Sequence, residues 1–237
     1  MGFWKFVLAV LAMVCLSASV PTLQAQEKGA EGDKPAEEKK ADEKEAEGDE
    51  EGDDEEEENA DPVENMKKMF KDVDKVIDTV KIAEADIESY LKHNKSFDEA
   101  MEKDEKFEEL KEKNIKEAFD HALKSESYKA WAEKNELKAE DYLRKSIRIM
   151  ILNFRVNFGP QIKEQLDGLA EQRKMVESAK ESIPAEDYNE AIKALDEADK
   201  MLKGMSEIID GLPAGSDEEK KLIEKYAEKL EEVESDE

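Results

Sequence analysis

The sequence predicts an all-α protein: an antiparallel helical bundle with long coiled-coil-like hairpins, preceded by a disordered acidic segment. Charged residues make up 43% of the 237 residues and aromatic residues only 6%, a composition typical of long solvated helices. From Val63 onward apolar residues recur at helical spacing, two to three per heptad, as in bundles. No segment shows the period-2 alternation of a half-buried strand.

Residues 1–25 have the layout of a secretory signal peptide. Lys5 is followed by the uncharged, mostly apolar run 6–20, and Ala25 precedes the expected mature terminus at Gln26. The run is shorter than the roughly 20 residues of a spanning helix, so an uncleaved anchor is the weaker alternative. We therefore expect an exported protein, periplasmic or extracellular, with no stable membrane insertion after cleavage. Cys15, the single cysteine, would be removed with the signal, leaving no disulfide.

Residues 26–60 form an acidic, low-complexity segment. They contain no Val, Ile, Leu, Met or aromatic residue, and residues 26–62 hold about half of the chain's net charge of −27. Such a segment cannot bury enough apolar surface to offset its chain entropy, so disorder is predicted. Its charge disfavours nucleic acid as a partner and is compatible with weak binding of divalent cations, although residues 53–58 lack the EF-hand pattern.

Residues 61–237 are predicted to form the helical bundle domain. Asp61 and Pro62 begin a helix that is expected to continue to about His93. A second capping box at Ser96 then begins another helix, antiparallel to the first, with a bend in its polar stretch 102–106. A short helix with Tyr128 and Trp131 follows. We expect Asn135 to end it in the left-handed conformation.

The second half of the domain predicts four further helices. One extends from about Ala139 to Phe158 and ends at Gly159-Pro160, and the next carries the apolar positions from Ile162 to Ile183. A third begins after Pro184 and ends near Gly211. The last is capped by Ser216 and its three acidic successors.

An arginine stripe distinguishes the helix 139–158. The chain has four arginines against 33 lysines, and Arg144, Arg148 and Arg155 fall on one face of this helix. The helix is also apolar on two flanks, which predicts a central position in the domain. Two interpretations of the stripe are open, because the planar guanidinium binds carboxylates in a bidentate manner. Either it lines a groove that receives an anionic group, or, as we favour, it pairs with acidic residues of neighbouring helices.

No residue pattern predicts catalysis, a cofactor or a metal site. His121 lies one helical turn after Glu117, with which it is expected to pair, and His93 is expected at a helix C-terminus. One histidine in a turn offers no ligand set. The methionine pairs Met66/Met69 and Met201/Met205 could bind copper, but they fall on apolar stripes and predict core packing.

Two functional hypotheses follow from these patterns. The first is an exported, non-enzymatic helical-bundle module of the cell envelope or extracellular space, which binds a protein partner through a groove between helices or has a structural role. The second is a low-affinity buffer of divalent cations that works through the acidic segment. A calcium titration with and without residues 26–62 separates the two hypotheses.

Overall fold

The computed structural model describes residues 61–235, so the predicted signal peptide and acidic segment lie outside the described residues. The described part is all-α and has no strand. Its helices are α1 (Pro62–Met69), α2 (Asp74–Ile77), α3 (Glu84–Met101), α4 (Glu105–Lys113), α5 (Ile115–Ala122), α6 (Glu126–Lys134), α7 (Ala139–Ser178), α8 (Ala185–Gly211) and α9 (Asp217–Ser235). Within this range no helix is both apolar and long enough to cross a bilayer.

Helix α7 is the centre of the domain, as its two apolar flanks predicted. Leu143, Phe154 and Phe158 belong to a large core that also includes residues of α1, α2, α4, α5, α6 and α8. On the other flank, Ile149 and Leu152 pack with residues of α3 and α9 in a second, smaller core. A helix that separates two cores must be apolar on both sides, and this is why its sequence differs from that of the other helices.

Helices α7 and α8 form the long antiparallel hairpin of the fold. Their contacts follow an antiparallel register, because Arg155 reaches Ile209 whereas Arg173 reaches Asp196. Helix α7 has 40 residues and contains Pro160 in its interior. The prediction that Gly159-Pro160 ends this helix was therefore wrong. Proline removes one backbone hydrogen bond, but α8 packs along both halves of α7, and burial of the residues beyond Pro160 keeps the helix continuous.

The predicted single helix from Pro62 to about His93 was also wrong. The chain leaves the helix after Met69, Asp72 adopts a left-handed φ of 62°, and the short helix α2 follows. A second break precedes α3, where the Asp86 carboxylate accepts the backbone N–H of Ala83 at 2.8 Å. Between the two breaks, Val73 and Ile77 are buried in the large core.

The predicted helix start at Ser96 was wrong as well, because α3 continues through this position. The Ser96 hydroxyl donates to the carbonyl of His93 at 3.0 Å and accepts the indole N–H of Trp131 at 3.1 Å. The hydroxyl of Ser96 therefore makes hydrogen bonds within and between helices and does not cap a helix N-terminus. Helix α3 ends only at Met101, and the rest of the predicted second helix is divided at Asn114 into α4 and α5.

The ends of three further helices test the other boundary predictions. Helix α6 ends where expected, but Asn135 has a φ of −94° and Glu136, one residue later, takes the left-handed conformation. Asn135 instead donates its side-chain amide to the carbonyl of Trp131. The predictions for α8, from Pro184 to Gly211, and for the cap of α9 at Ser216 are confirmed.

Substitution by alanine is expected to have opposite effects on stability at two glycines of the α7–α8 hairpin, Gly159 and Gly204. An added Cβ at Gly159 would meet Ile209 at 3.7 Å, which is ordinary contact, whereas at Gly204 it would meet Val63 at 2.7 Å. We expect Gly159→Ala to raise the free energy of unfolding by about 0.5–1 kcal/mol, because alanine favours the helix. Gly204→Ala should lower it, because the stiff, branched Val63 must shift. Urea denaturation measures both, and equal effects would contradict the packing of α1 on α8.

Candidate ligand cavity and the arginine network

Arg148 forms a buried salt bridge with the first turn of α9. Its guanidinium donates to both carboxylate oxygens of Glu219, at 3.4 and 3.1 Å, and to the carbonyl of Ala214. Both side chains are only 6% exposed. Glu219 also accepts the backbone N–H of Ser216 and of Ile82. Burial alone would raise the pKa of Glu219, but these hydrogen bonds outweigh it and hold the pKa below its usual value.

The other two arginines of the stripe bind backbone carbonyls of different neighbours. Arg155 donates to Ile209 at 2.7 Å, to Asp210 at 3.1 Å and to Leu212, so it satisfies carbonyls at the C-terminus of α8. Arg144 donates to the carbonyl of Val76 in α2 at 2.5 Å and pairs with Glu140 on its own helix. The Arg144 guanidinium also lies 4.8 Å above the ring of Phe119.

The three arginines thus join α7 to three segments that are distant in sequence: α2, the C-terminus of α8, and the start of α9. Only Arg148 uses a carboxylate of another helix for this purpose. Arg144 and Arg155 reach other segments through main-chain oxygens. Every residue has a backbone carbonyl, so a main-chain acceptor cannot be identified from residue types. The sequence pattern alone therefore could not show which segments the arginine stripe contacts.

A cavity of about 110 Å³ lies between α3, α4, α5 and α7. Its walls are mostly aromatic and aliphatic. The lining residues are Tyr90, Asn94, Phe97 and Asp98 of α3, Phe107 and Lys111 of α4, Ile115, Ala118 and Phe119 of α5, and Tyr142, Leu143, Ser146, Ile147 and Met150 of α7. On α3 and α7 these positions recur at helical spacing, so each helix presents one face. The cavity is therefore enclosed by one face of α3, one face of α7, and residues of α4 and α5.

A few polar groups lie among the lining residues. Asn94 donates its side-chain amide to the carboxylate of Asp98 at 3.1 Å. Lys111 forms a salt bridge with Glu108 at 2.8 Å. Burial raises the pKa of Tyr142 to about 12, and the charge of Asp98 adds to this shift, so the phenol stays protonated at neutral pH. Apolar walls with a small number of placed polar groups are the usual composition of a ligand pocket.

Asp104 joins the start of α4 to the end of α5. This carboxylate caps α4 through the N–H of Phe107 at 3.2 Å, binds Nε2 of His121 at 2.8 Å and accepts the hydroxyl of Ser125 at 2.9 Å. The prediction that His121 pairs with Glu117 was wrong, because its imidazole binds Asp104 instead. Aspartate, histidine and serine do not form a catalytic triad here, since the serine donates to the carboxylate and not to the imidazole.

The remaining site predictions concern His93 and the methionines. His93 is buried inside α3, edge-on to Trp131 and Tyr142, so its predicted place at a helix C-terminus was wrong. Met66, Met69 and Met205 are buried in the large core, as predicted. Among residues 61–235, no group of three or more His, Cys, Asp or Glu is placed to hold a metal ion.

Sequence reasoning missed the cavity and the Asp104 centre. The signal for Asp104 was present, because aspartate is one of the residues preferred at the start of a helix. The signal for the cavity was the small side chains Ala118 and Ser146 on inward faces that otherwise carry large apolar residues. Periodicity identifies inward positions but does not show whether the facing side chains fill the space between them.

The fold and the site define the class of protein: an all-helical bundle built around one central helix, with a small, mostly apolar cavity beside it. No protein-family model matches the chain, and no curated protein or solved structure matches it significantly. The geometry of the site is therefore the basis for assigning a function to this protein.

Proposed function

We propose that this chain is an exported, non-enzymatic binding module, and that its helical domain takes an apolar group into the cavity between α3, α4, α5 and α7. The observation that carries the proposal is the cavity itself, with mostly apolar walls and polar groups at Asn94, Asp98 and Lys111. A dry apolar cavity of about 150 Å³ in another protein binds benzene. A volume of about 110 Å³ therefore suits one aromatic ring or an apolar side chain of a partner.

The absence of catalysis is part of the proposal. The cavity is lined by Tyr142, Ser146 and Lys111, but Lys111 is paired with Glu108 and Tyr142 keeps its proton at neutral pH. A lysine held in an ion pair and a protonated phenol are poor candidates for a nucleophile or a general base. Binding without chemistry is the function that agrees with this arrangement.

Toluene is the simplest probe of the cavity. We expect saturable shifts of the methyl resonances of Ile115, Leu143 and Ile147 when toluene is added to the protein, because its ring fits the volume and the walls are apolar. Ala118→Met should abolish these shifts, since a flexible side chain fills irregular gaps. Ala194→Met, on the exposed side of α8, is the matched control and should bind toluene like the wild type.

Two outcomes would overturn the proposed site. Toluene could leave the methyl resonances unchanged, or Ala118→Met could bind it as well as the wild-type protein does. Ser146→Val fills the same space from α7 and serves as the second variant if Ala118→Met does not give a wild-type circular dichroism spectrum.

Export is the other half of the proposal, and the layout of residues 1–25 supports it. We expect the exported protein to begin at or near Gln26. Its intact mass should therefore lack the first 25 residues. A membrane-bound species that retains residues 1–25 would show that the apolar run serves as an anchor instead.

A further inference from the structure

An aromatic cluster lies where α3, α6 and α7 meet. Its members are His93 and Phe97 of α3, Tyr128 and Trp131 of α6, and Tyr142 of α7. The ring of His93 is perpendicular to those of Trp131 and Tyr142, with centroids 6.3 and 6.4 Å away. Trp131 in turn contacts Phe97 at 5.5 Å and Tyr142 at 5.3 Å. Because packed interiors transmit displacements, movement of one ring shifts the others.

The cluster shares two of its residues with the cavity. Phe97 and Tyr142 both line the cavity, and both contact Trp131. His93 packs on Tyr142 but does not itself line the cavity. A change at His93 therefore reaches a bound ligand through these rings.

The imidazole of His93 lies in surroundings that favour its neutral form. The residue is only 9% exposed, and within residues 61–235 its ring forms no hydrogen bond or ion pair. Burial, and after it the charge of Lys92, holds the pKa of His93 below its ordinary value of about 6.5. A protonated ring at this place would be a buried charge without a partner, which is costly.

The elements packed on His93 bring no compensating charge in the described structure. Helix α6 faces it with Trp131, and α7 faces it with Tyr142, whose phenol stays protonated because burial raises its pKa to about 12. Other charged side chains line a second pocket that Tyr142 also lines, namely Asp86, Glu136, Lys138, Asp141 and Lys145. Of the described charges, only that of Lys92 shifts the pKa of His93, and it has the same sign as an imidazolium.

We propose that pH regulates the cavity: protonation of His93 in mildly acidic solution displaces the aromatic cluster and lowers the affinity of the cavity for its apolar ligand. This inference rests on the proposed binding function and adds its regulation. A charged imidazole must reach water, and its movement shifts Tyr142 and Phe97 in the cavity wall. Because the binding-competent form has a neutral His93, affinity is highest above about pH 6.5 and is lost as the pH falls through the lower pKa of the folded protein.

Toluene tests this regulation cleanly, because it has no titratable group and any pH dependence of its binding comes from the protein. It is titrated against the whole mature protein at about pH 7.5 and about pH 5, the range in which histidine changes its charge. With the cavity methyl resonances as readout, we expect binding about fivefold weaker at the lower pH, a typical coupling between two sites. Far-ultraviolet circular dichroism should be the same at both pH values. A loss of helical signal would show global unfolding and would overturn the inference.

His93→Gln is the decisive variant, because glutamine is polar but neutral at both pH values. Toluene should bind this variant equally well at either pH. His121→Gln is the matched control: His121 is the other histidine of the chain and binds Asp104, so this variant should keep the wild-type pH dependence. His93→Phe, which retains an aromatic ring, serves if His93→Gln does not give a wild-type circular dichroism spectrum. The inference is overturned if the His93 variants keep the pH dependence, or if His121→Gln abolishes it.

Trp131 provides a readout that needs no ligand. The chain has two tryptophans, and the other, Trp4, lies in the predicted signal peptide. The emission of Trp131 in the mature protein should change with pH, with a midpoint below about pH 6.5, because His93 packs on its ring. His93→Gln should lack this change. Emission of the wild-type protein that does not vary between about pH 7.5 and about pH 5 would overturn the inference.

These outcomes separate the two proposals. If toluene leaves the cavity methyl resonances unchanged at both pH values, the proposed binding function fails, and the regulation fails with it. If toluene binds in the cavity with the same affinity at both pH values, the binding function stands and only the regulation by His93 fails.

Discussion

We expect Arg148→Ala to lower the free energy of unfolding by about 3–5 kcal/mol, because removing one member of a buried ion pair leaves an uncompensated charge in the interior. Glu219 would keep the N–H groups of Ser216 and Ile82 but lose its only guanidinium partner in the described structure. The carbonyl of Ala214 would lose the same donor. Urea denaturation at neutral pH, followed by far-ultraviolet circular dichroism, measures the loss.

A second arginine of α7 provides the matched control for this prediction. Arg173 pairs with Asp196 across the hairpin, but its side chain is 34% exposed and that of its partner 60%. Arg173→Ala should change stability by less than about 1 kcal/mol, as for other solvated ion pairs. Arg148→Lys should give a loss smaller than that of the alanine variant, since it keeps the charge without the bidentate geometry. An unchanged melt of Arg148→Ala would contradict the buried position of the pair.

Phe154→Ala should destabilise the domain by a similar amount, about 3–5 kcal/mol, through loss of buried surface and creation of a cavity. Phe154 is 1% exposed, and its ring centroid lies 5.4 Å from that of Phe70 and 5.0 Å from that of Phe158. Phe70 lies at the end of α1, so this ring contact joins the N-terminal segment to the central helix. Thermal and urea denaturation of the variant both test the prediction.

Controls for Phe154→Ala come from the same helix. Among the residues that the structure describes, Met175 is the one large hydrophobic residue that is markedly exposed, at 62%. Met175→Ala should therefore change stability by no more than about 0.5 kcal/mol. Phe154→Leu keeps much of the volume and should cost less than Phe154→Ala. Equal stability of Phe154→Ala and wild type would contradict the packing of this flank of α7 in the large core.

Part of this protein follows from its sequence because the responsible forces act locally. Pro184 and Ser216 mark the starts of α8 and α9, since capping and the fixed φ of proline are properties of a few adjacent residues. The two apolar flanks of residues 139–158 predicted a central helix, and the two cores on either side of α7 confirm it. Helical periodicity alone carries this information.

The tertiary structure decided which helices are continuous. Apolar residues keep the same spacing in one long helix and in two broken ones, so periodicity could not show the breaks after Met69 and before Glu84. Conversely, local signals at Ser96 and Pro160 predicted ends that do not occur. There the cost of a capping residue or a proline inside a helix is smaller than the gain from burying the residues that follow.

The tertiary structure also decided the partners of the site residues. The sequence placed Arg144, Arg148 and Arg155 on one face of a helix, but Glu219 is 71 residues away from Arg148. The cavity likewise depends on how α4 and α5 lie against α3 and α7. Spacing within one helix determines which side chains share a face, whereas the packing of several helices determines what that face meets.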